Sequence, residues 1–594
     1  MRFLLALVLI ARTASAQSAP DVRTAVTLAL PMLQHSAAEF VAKRTCLSCH
    51  HNSLPVLTLR LARSRGFAID PAVLRAVEEK TFRQLRGDNA LDGAIQAAAL
   101  NDPAPTESYL LMAAHAAGLE PDLPTAVYAR RLAGWQRDGY WATSDFRPPS
   151  SSSLFTATAT AVRAIRLYMP EELGRERDAS VRSARQWLFA TRPASTEDAA
   201  FRLMGLAWAD APAEEIVAAR RDLLVLQQRT GGWPQLPRYQ PDAYSTGEAL
   251  FALHEAGTSV TDTAWRNGLK FLTSSQASDG TWRVRTRMIS PAAVSPPYFS
   301  TGFPYGKDEF LSYAGSCWAV IALLTALPEA AIAPESPNVE RSASGDAAPW
   351  VRTALFGTAQ QLAALLDAGL DPNSRTGNGT TLLMMAAPNA EKVRLLLARG
   401  ADAKARATSG SDAVHVAAAF RGSTPALQAL LDAGGEAQPP PGVRVRNSPL
   451  VLASMTGDLE NVKLFLAHGA NDLAEALGQA VTFGYQDIAR TLIAAGASGR
   501  VAESTGINLL HWATITNRPA VIPILAQAGA AIDAIDDFGF TPLMYAATID
   551  FGDAEGLKAL LKAGADRAVR NNDDRTPLEQ ARYLKHVHLE AALR

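Results

Sequence analysis

Cysteine is almost missing from this chain of 594 residues, which has three. Three cysteines cannot build a disulfide framework, so the fold must rest on packing. Long hydrophobic runs are also absent: after residue 16 no stretch reaches about 18 uninterrupted apolar residues, and no membrane span is expected. Charge of one sign is not in excess. The formal net charge is −1 and no Lys/Arg block occurs, which makes nucleic acid a poor partner. Runs of β-branched residues are scarce beside Leu and Ala, so almost no sheet is expected and the fold class is all-α.

The first 16 residues have the layout of a secretory signal, with Arg2, an apolar run from Phe3 to Ala11 and Ala14-Ser15-Ala16 before a cleavage point. A secreted or periplasmic protein is expected. Two of the three cysteines fall in Cys46-Leu47-Ser48-Cys49-His50-His51. C-x-x-C-H is the spacing at which two thiols take up the vinyl groups of one haem while the next His reaches its iron. Cys46 and Cys49 are thus candidate attachment points for a haem c, and His50 the iron ligand. Two other readings stand beside it: a zinc site using Cys46, Cys49, His50 and His51, and an inert dithiol. For the opposite side of a haem, His35, Met32, His115, Met112 and His254 are the candidates. Cys317 lies in an apolar helical pattern and reads as a buried core thiol.

Between residues 17 and 330 the apolar period gives six helical pairs: 22–42 with 53–65, 71–85 with 105–117, 123–136 with 153–168, 175–190 with 196–209, 213–229 with 242–256, and 261–275 with 309–326. A further helix is possible near 91–100. Links between pairs are short turns; those within pairs (137–152, 230–241, 276–308) are long and rich in Gly, Pro and aromatics. Short links gather on one face of a ring of hairpins and long ones on the other, where residues 43–52 also fall. Long loops on a rigid scaffold are where binding residues tend to sit.

Gly268-x-x-Phe271-Leu272-x-x-x-Gln276-x-x-x-Gly280-x-Trp282 resembles the QW repeat of squalene–hopene cyclases and related prenyltransferases. Gln227-x-x-x-Gly231-x-Trp233 repeats its end, and Gln136 with Gly139-x-Trp141 is a degenerate copy. The resemblance spans residues 22 to 330 and implies an α/α toroid of six inner and six outer helices. It does not bring the cyclase activity with it. Those enzymes protonate an alkene from an Asp-x-Asp-Asp run, which residues 17–330 lack, and no Asp/Cys/His zinc set of a prenyltransferase is apparent. Glu197-Asp198 is the nearest acidic pair and reads as a helix-start charge or cap. The motif Gln and Trp residues read as scaffold.

The long loops supply a candidate ligand pocket: Trp141, Arg147, Trp233, Tyr239, Tyr244, Tyr298, Phe299, Phe303, Tyr305 and Asp308. Aromatic walls with a few charges suit a sugar, a polyprenyl chain or a planar group. The same aromatics would equally plug the ring's mouth.

Residues 331–349 read as a linker, rich in Ala, Pro, Ser and Glu. From 350 to 594 a helix-ending Gly recurs at 369, 400, 434, 469, 496, 529 and 564, and Thr541-Pro542-Leu543-Met544-Tyr545-Ala546-Ala547 resembles the opening of an ankyrin repeat. About seven repeats with a final partial one are expected to stack into a solenoid. Ankyrin arrays bind other proteins, so an unknown protein partner is implied. Three functions remain: a haem-bearing toroid (redox or ligand binding) joined to a docking array, a toroid enzyme acting on a polysaccharide or isoprenoid, and a non-catalytic scaffold with an inert dithiol.

Overall fold

The computed structural model describes residues 21–44, 49–96, 103–144, 147–150, 152–288, 299–330, 348–500 and 503–594. The signal-like segment, Cys46, Tyr298 and most of the linker lie outside them. Among the described residues the chain is helical throughout, with isolated bridges and no strand.

The described residues of the first part form thirteen α-helices: α1 Val22–Lys43, α2 Leu54–Ser64, α3 Pro71–Phe82, α4 Ala90–Ile95, α5 Pro103–Ala116, α6 Leu123–Gly134 and α7 Leu154–Tyr168. Then follow α8 Gly174–Ala190, α9 Thr196–Trp208, α10 Ala213–Val225, α11 Ala243–Glu255, α12 Thr263–Ser275 and α13 Glu309–Thr325. Inner helices pack in sequence, α2 on α5, α5 on α7, α7 on α9, α9 on α11 and α11 on α13. Helix α13 then returns to α2, which closes the ring. The remaining long helices, α1, α3, α6, α8, α10 and α12, form the outer layer, and α4 is the extra piece. This is the six-hairpin α/α toroid the sequence led us to expect.

Burial explains the two layers. Helix α13 buries every side chain but Phe310, the mark of a helix surrounded by protein. Helix α8, by contrast, buries only Ser180, Ala184 and Leu188, one stripe at i, i+4, i+8.

The QW copies do one job three times. Each Gln amide donates to a backbone carbonyl of the next outer helix: Gln136 to Ser180 (2.9 Å), Gln227 to Ala264 (2.8 Å) and Gln276 to Ala25 (2.8 Å). Each indole donates back to its own outer helix, Trp141 to Leu132, Trp233 to Leu223 and Trp282 to Leu272. The backbone N–H of each Trp donates to an inner-helix hydroxyl, on Thr158, Thr246 and Ser316 respectively. Helix α10 therefore stops at Val225, short of the expected 229, because Gln227 and Gln228 are drawn into this turn. The third copy bonds to α1, so it fastens the last hairpin to the first.

The second part is a stack of eight helix pairs among the described residues, from Pro349–Phe356 with Ala359–Asp367 to Pro577–Tyr583 with Val587–Leu593. All seven repeat glycines named above have positive φ. At Gly369, φ is +99° and a Cβ would meet nothing within 4 Å, so the backbone conformation and not crowding requires glycine there.

Gly280 is the contrasting case: φ is +84°, and a Cβ would collide with the Leu28 carbonyl of α1. Gly257 has φ +75° but open space around it. Urea unfolding is expected to show a loss of about 3 kcal/mol for Gly280→Ala and about 1 kcal/mol for Gly257→Ala. Equal losses would mean that the α1 seam carries no special load.

Candidate functional site: the loop face of the toroid

The long-link face of the ring is covered by the ankyrin array. The contacts recur at one position of successive repeats, the turn after the first helix. Arg130 donates to Leu355 O (2.8 Å), Arg421 N to Gly134 O (3.0 Å) and Arg137 to Gly457 O (3.1 Å). Arg137 also pairs with Asp487 at 2.9 Å, Arg518 donates to Thr143 O, and Arg285 donates to Leu584 O (2.7 Å). The carbonyls at a helix C-terminus lack partners within the helix and carry partial negative charge, which suits guanidinium groups. Beside this row Asp92 accepts from Thr376, Asn378 and Thr380 of a repeat hairpin.

Asp550, fully buried after the first helix of the seventh repeat, is the densest of these contacts. Its carboxylate accepts from Arg238 (2.6 Å) and the Tyr239 hydroxyl (2.5 Å), and lies 3.3 Å from His588. Its carbonyl accepts from Arg287 (2.8 Å) while its N–H donates to Arg287 O, beside a backbone bridge between Met288 and Ile549. Burial alone would raise this carboxyl. The bonds from His588 and Tyr239, with Arg287 and Arg238 close by, outweigh it and hold the group well below the usual carboxylate range.

The C-x-x-C-H stretch sits at the first hairpin of the same face. Cys49 and His50 lie on a π-helical turn, Cys49–Ser53, that runs directly into α2. The arm leading into the loop is pinned by buried Lys80, whose ammonium caps the end of α1 through Phe40 O, Val41 O and Arg44 O. The next residue of the turn, His51, is 3% exposed. Its ring stacks on Phe40 (4.9 Å) and on Tyr313 (4.4 Å), with Phe310 edge-on at 5.1 Å. Phe299 continues this wall, and the Arg44 guanidinium lies 3.8 Å over it.

The other candidate pocket residues do not line one opening. Trp141 and Trp233 are wholly buried as scaffold. Tyr239 belongs to the Asp550 contact. Phe303 is buried edge-on to Tyr313 at 5.4 Å, and the Tyr305 hydroxyl bonds Thr281. Asp308, 1% exposed, takes Arg283 and the Thr286 N–H. Arg147 is half-buried. Only Phe299 borders the motif turn. The bulky residues at the mouth pack on one another and on the inner helices: Phe303 on Tyr305 and Tyr313, Phe299 on Phe40 and Phe310.

Tyr244 points elsewhere, into the ring's interior, a place that no sequence motif marks. Its hydroxyl is 3.5 Å from Glu197, which also accepts from Thr156 at 2.6 Å. Glu197 is 3% exposed and Glu248, one turn along α11 from Tyr244, is 0% exposed. Neither Glu248 oxygen has a hydrogen-bond partner of good geometry. Burial first, then the Glu197 carboxylate, raise the Glu248 carboxyl well above the usual range, and the nearby Tyr244 hydroxyl only partly opposes them. One signal in the sequence does point to Glu248: it is the single acid within the run from Ala243 to Leu253, whose other residues are aromatic, apolar or small. Asp198, in contrast, is a local cap, accepting from Ala194 N and the Ser153 hydroxyl.

Residues 351–440, 415–503 and 477–571 match the family model for ankyrin repeats in three copies. The chain is 32% identical over 152 residues to the Caenorhabditis elegans "Ankyrin repeat and KH domain-containing protein mask-1", covering 24% of this chain and 6% of that protein. It is 38% identical over 140 residues to the human "SH3 and multiple ankyrin repeat domains protein 1", covering 22% and 6%. The Neurospora crassa "Ankyrin repeat protein nuc-2" is 31% identical over 140 residues, covering 23% and 10%. The chain spans at most a tenth of the length of these three relatives, and the shared segment is the repeat array. The array is an ankyrin array, a module that binds protein, and here the surface it engages belongs to its own chain.

Asp550→Ala leaves Arg238 and the Tyr239 hydroxyl without their buried acceptor and is expected to cost about 3 kcal/mol of docking stability. Hydrogen exchange in 230–241 and 285–288 reads it: faster exchange in the variant, unchanged exchange in α8. The folded-state pKa lies below the unfolded value of 3.8, so this stabilisation is present above about pH 4 and is lost as pH falls below it. The same loops should loosen in wild type on acidification through that range and not above it.

Proposed function

We propose that the protein is exported and carries a covalently attached c-type haem on the toroid's loop face, with the ankyrin array as its protein-binding module. Cys46 and Cys49 would hold the group through thioether bonds and His50 would supply the axial nitrogen. The observation that carries this reading is the Cys49–Ser53 turn itself. It sets Cys49 and His50 in succession on a helical segment at the mouth of the ring, next to an aromatic wall of Phe40, Phe299, Phe310 and Tyr313. A haem bound in this way supplies one-electron redox or small-ligand binding.

The chain's own residues prepare that place. Lys80 fixes the stem of the loop, and Arg44 sets a cation at the rim, suited to acidic substituents. Of the residues considered for the opposite side, His115 and His254 stand at the short-link ends of α5 and α11, away from the motif. His115 is about 18 Å along its helix from the loop face, at 1.5 Å per residue. His35, on α1 beside Gly302, is the better placed. The zinc reading needs His51 as well, and its ring is held between Phe40 and Tyr313.

Protein made with a cytochrome c maturation system and exported is expected to show a visible haem spectrum and to keep haem stain after denaturing electrophoresis. Cys46→Ala/Cys49→Ala should lose the stain while the helical circular dichroism persists. A colourless wild type refutes the reading.

A further inference from the structure

The interior of the ring holds a group that the haem reading leaves unused. Glu248 is 0% exposed, and neither of its oxygens has a hydrogen bond of good geometry, the Tyr244 hydroxyl being the donor close by. An apolar residue there would cost nothing, whereas a buried polar group without a partner costs on the order of 1–3 kcal/mol.

We infer that this interior is a binding site for a small protonated amine, with Glu248 and Glu197 as its carboxylate partners. The charge around Glu248 selects the sign of the ligand. Beyond burial, the charged groups acting most on it are Glu197, Asp242 and Asp198, all acids. Arg287 donates its hydrogen bonds to Gln235 and to the Asp550 carbonyl. Arg287 still acts on Glu197 and Asp242, but no cation is among the groups acting most on Glu248, where an ammonium group would sit. Among the described residues no group of three or more His, Cys, Asp or Glu is disposed to hold a metal ion, which favours an organic cation. The Tyr244 ring supplies a negative π face beside the carboxyls, the other half of ammonium recognition.

Binding is balanced by one proton. Burial and the neighbouring Glu197 favour the neutral form of the Glu248 carboxyl, an arriving R–NH3+ favours its ionised form, and binding therefore drives the carboxyl O–H to release its proton to solvent. The 230–241 segment bonds Thr196 at the start of α9, next to Glu197, and is tied with 285–288 to the array through Asp550, so entry to the proposed site is assigned to this end of the ring.

The test is isothermal titration of the full chain with n-propylammonium chloride near neutral pH, in two buffers of different ionisation heat, with propan-1-ol as the neutral isostere. Asp550→Ala is titrated in parallel as the form with loosened entry. Saturable amine binding in wild type or in Asp550→Ala, with release of about one proton per amine and none for the alcohol, is the expected result. Glu248→Gln should weaken it about tenfold or more at unchanged helical content, and Glu197→Gln should do so independently. Absence of binding in both wild type and Asp550→Ala overturns the inference. So does binding without proton release, equal binding of propan-1-ol, or full affinity in folded Glu248→Gln. None of these readouts depends on haem, so the two proposals fail separately.

Discussion

A ring of helices has no ladder of backbone bonds to hold its ends together, and this toroid depends on one seam. Gln276 reaches the Ala25 carbonyl, and Gly280 approaches Leu28 more closely than any other residue type allows. Helix α13 then packs against α2 and α1. The same Gln–Gly–Trp unit spaces the neighbours elsewhere, but only here does it join residues some 250 positions apart. Once the seam is made, the long links are gathered on one face and the acidic residues of α9 and α11 are turned inward.

On that face the array reads a regular feature of itself. Each ankyrin repeat ends its first helix with carbonyls that have no partner within the helix, and the stack presents them in a row. Arg130, Arg137, Arg285 and Arg287 of the toroid meet members of that row, and Asp550 adds a carboxylate at the point where the contacts are densest. The interface is therefore polar and periodic, with apolar packing such as Phe420 against Gly134 between its charged points. Helix ends, not the exposed faces of the helices, carry the recognition.

The sequence disclosed the parts that depend on local periodicity. The hairpin pairs followed from apolar spacing, the scaffold role of Gln227, Trp233, Gln276 and Trp282 from their motif, and the seven repeat ends from glycines that need positive φ. It did not disclose how parts separated by hundreds of residues meet. Tyr239 reads as a pocket aromatic until Asp550 is seen on its hydroxyl. Trp141 and Phe303 have the composition of a ligand wall, but Trp141 is turned back onto Leu132 of its own helix and Phe303 packs edge-on to Tyr313. Glu248 has no motif around it, because a single acid in an apolar run carries no spacing. Its meaning arises only when Glu197 from another helix is brought beside it.

The seam also fixes an order of events in synthesis. A chain emerging from its N-terminus delivers α1 first and the residues that fasten it last, so the toroid is an open arc until about 325 residues have been made. The stacking partners of His51 follow the same schedule: Phe40 is present early, whereas Phe310 and Tyr313 belong to the last inner helix. The turn bearing Cys49 and His50 thus remains unclamped until the last inner helix has been made. Any covalent modification of that turn has a window that closes when α13 docks and brings Phe310 and Tyr313 onto His51.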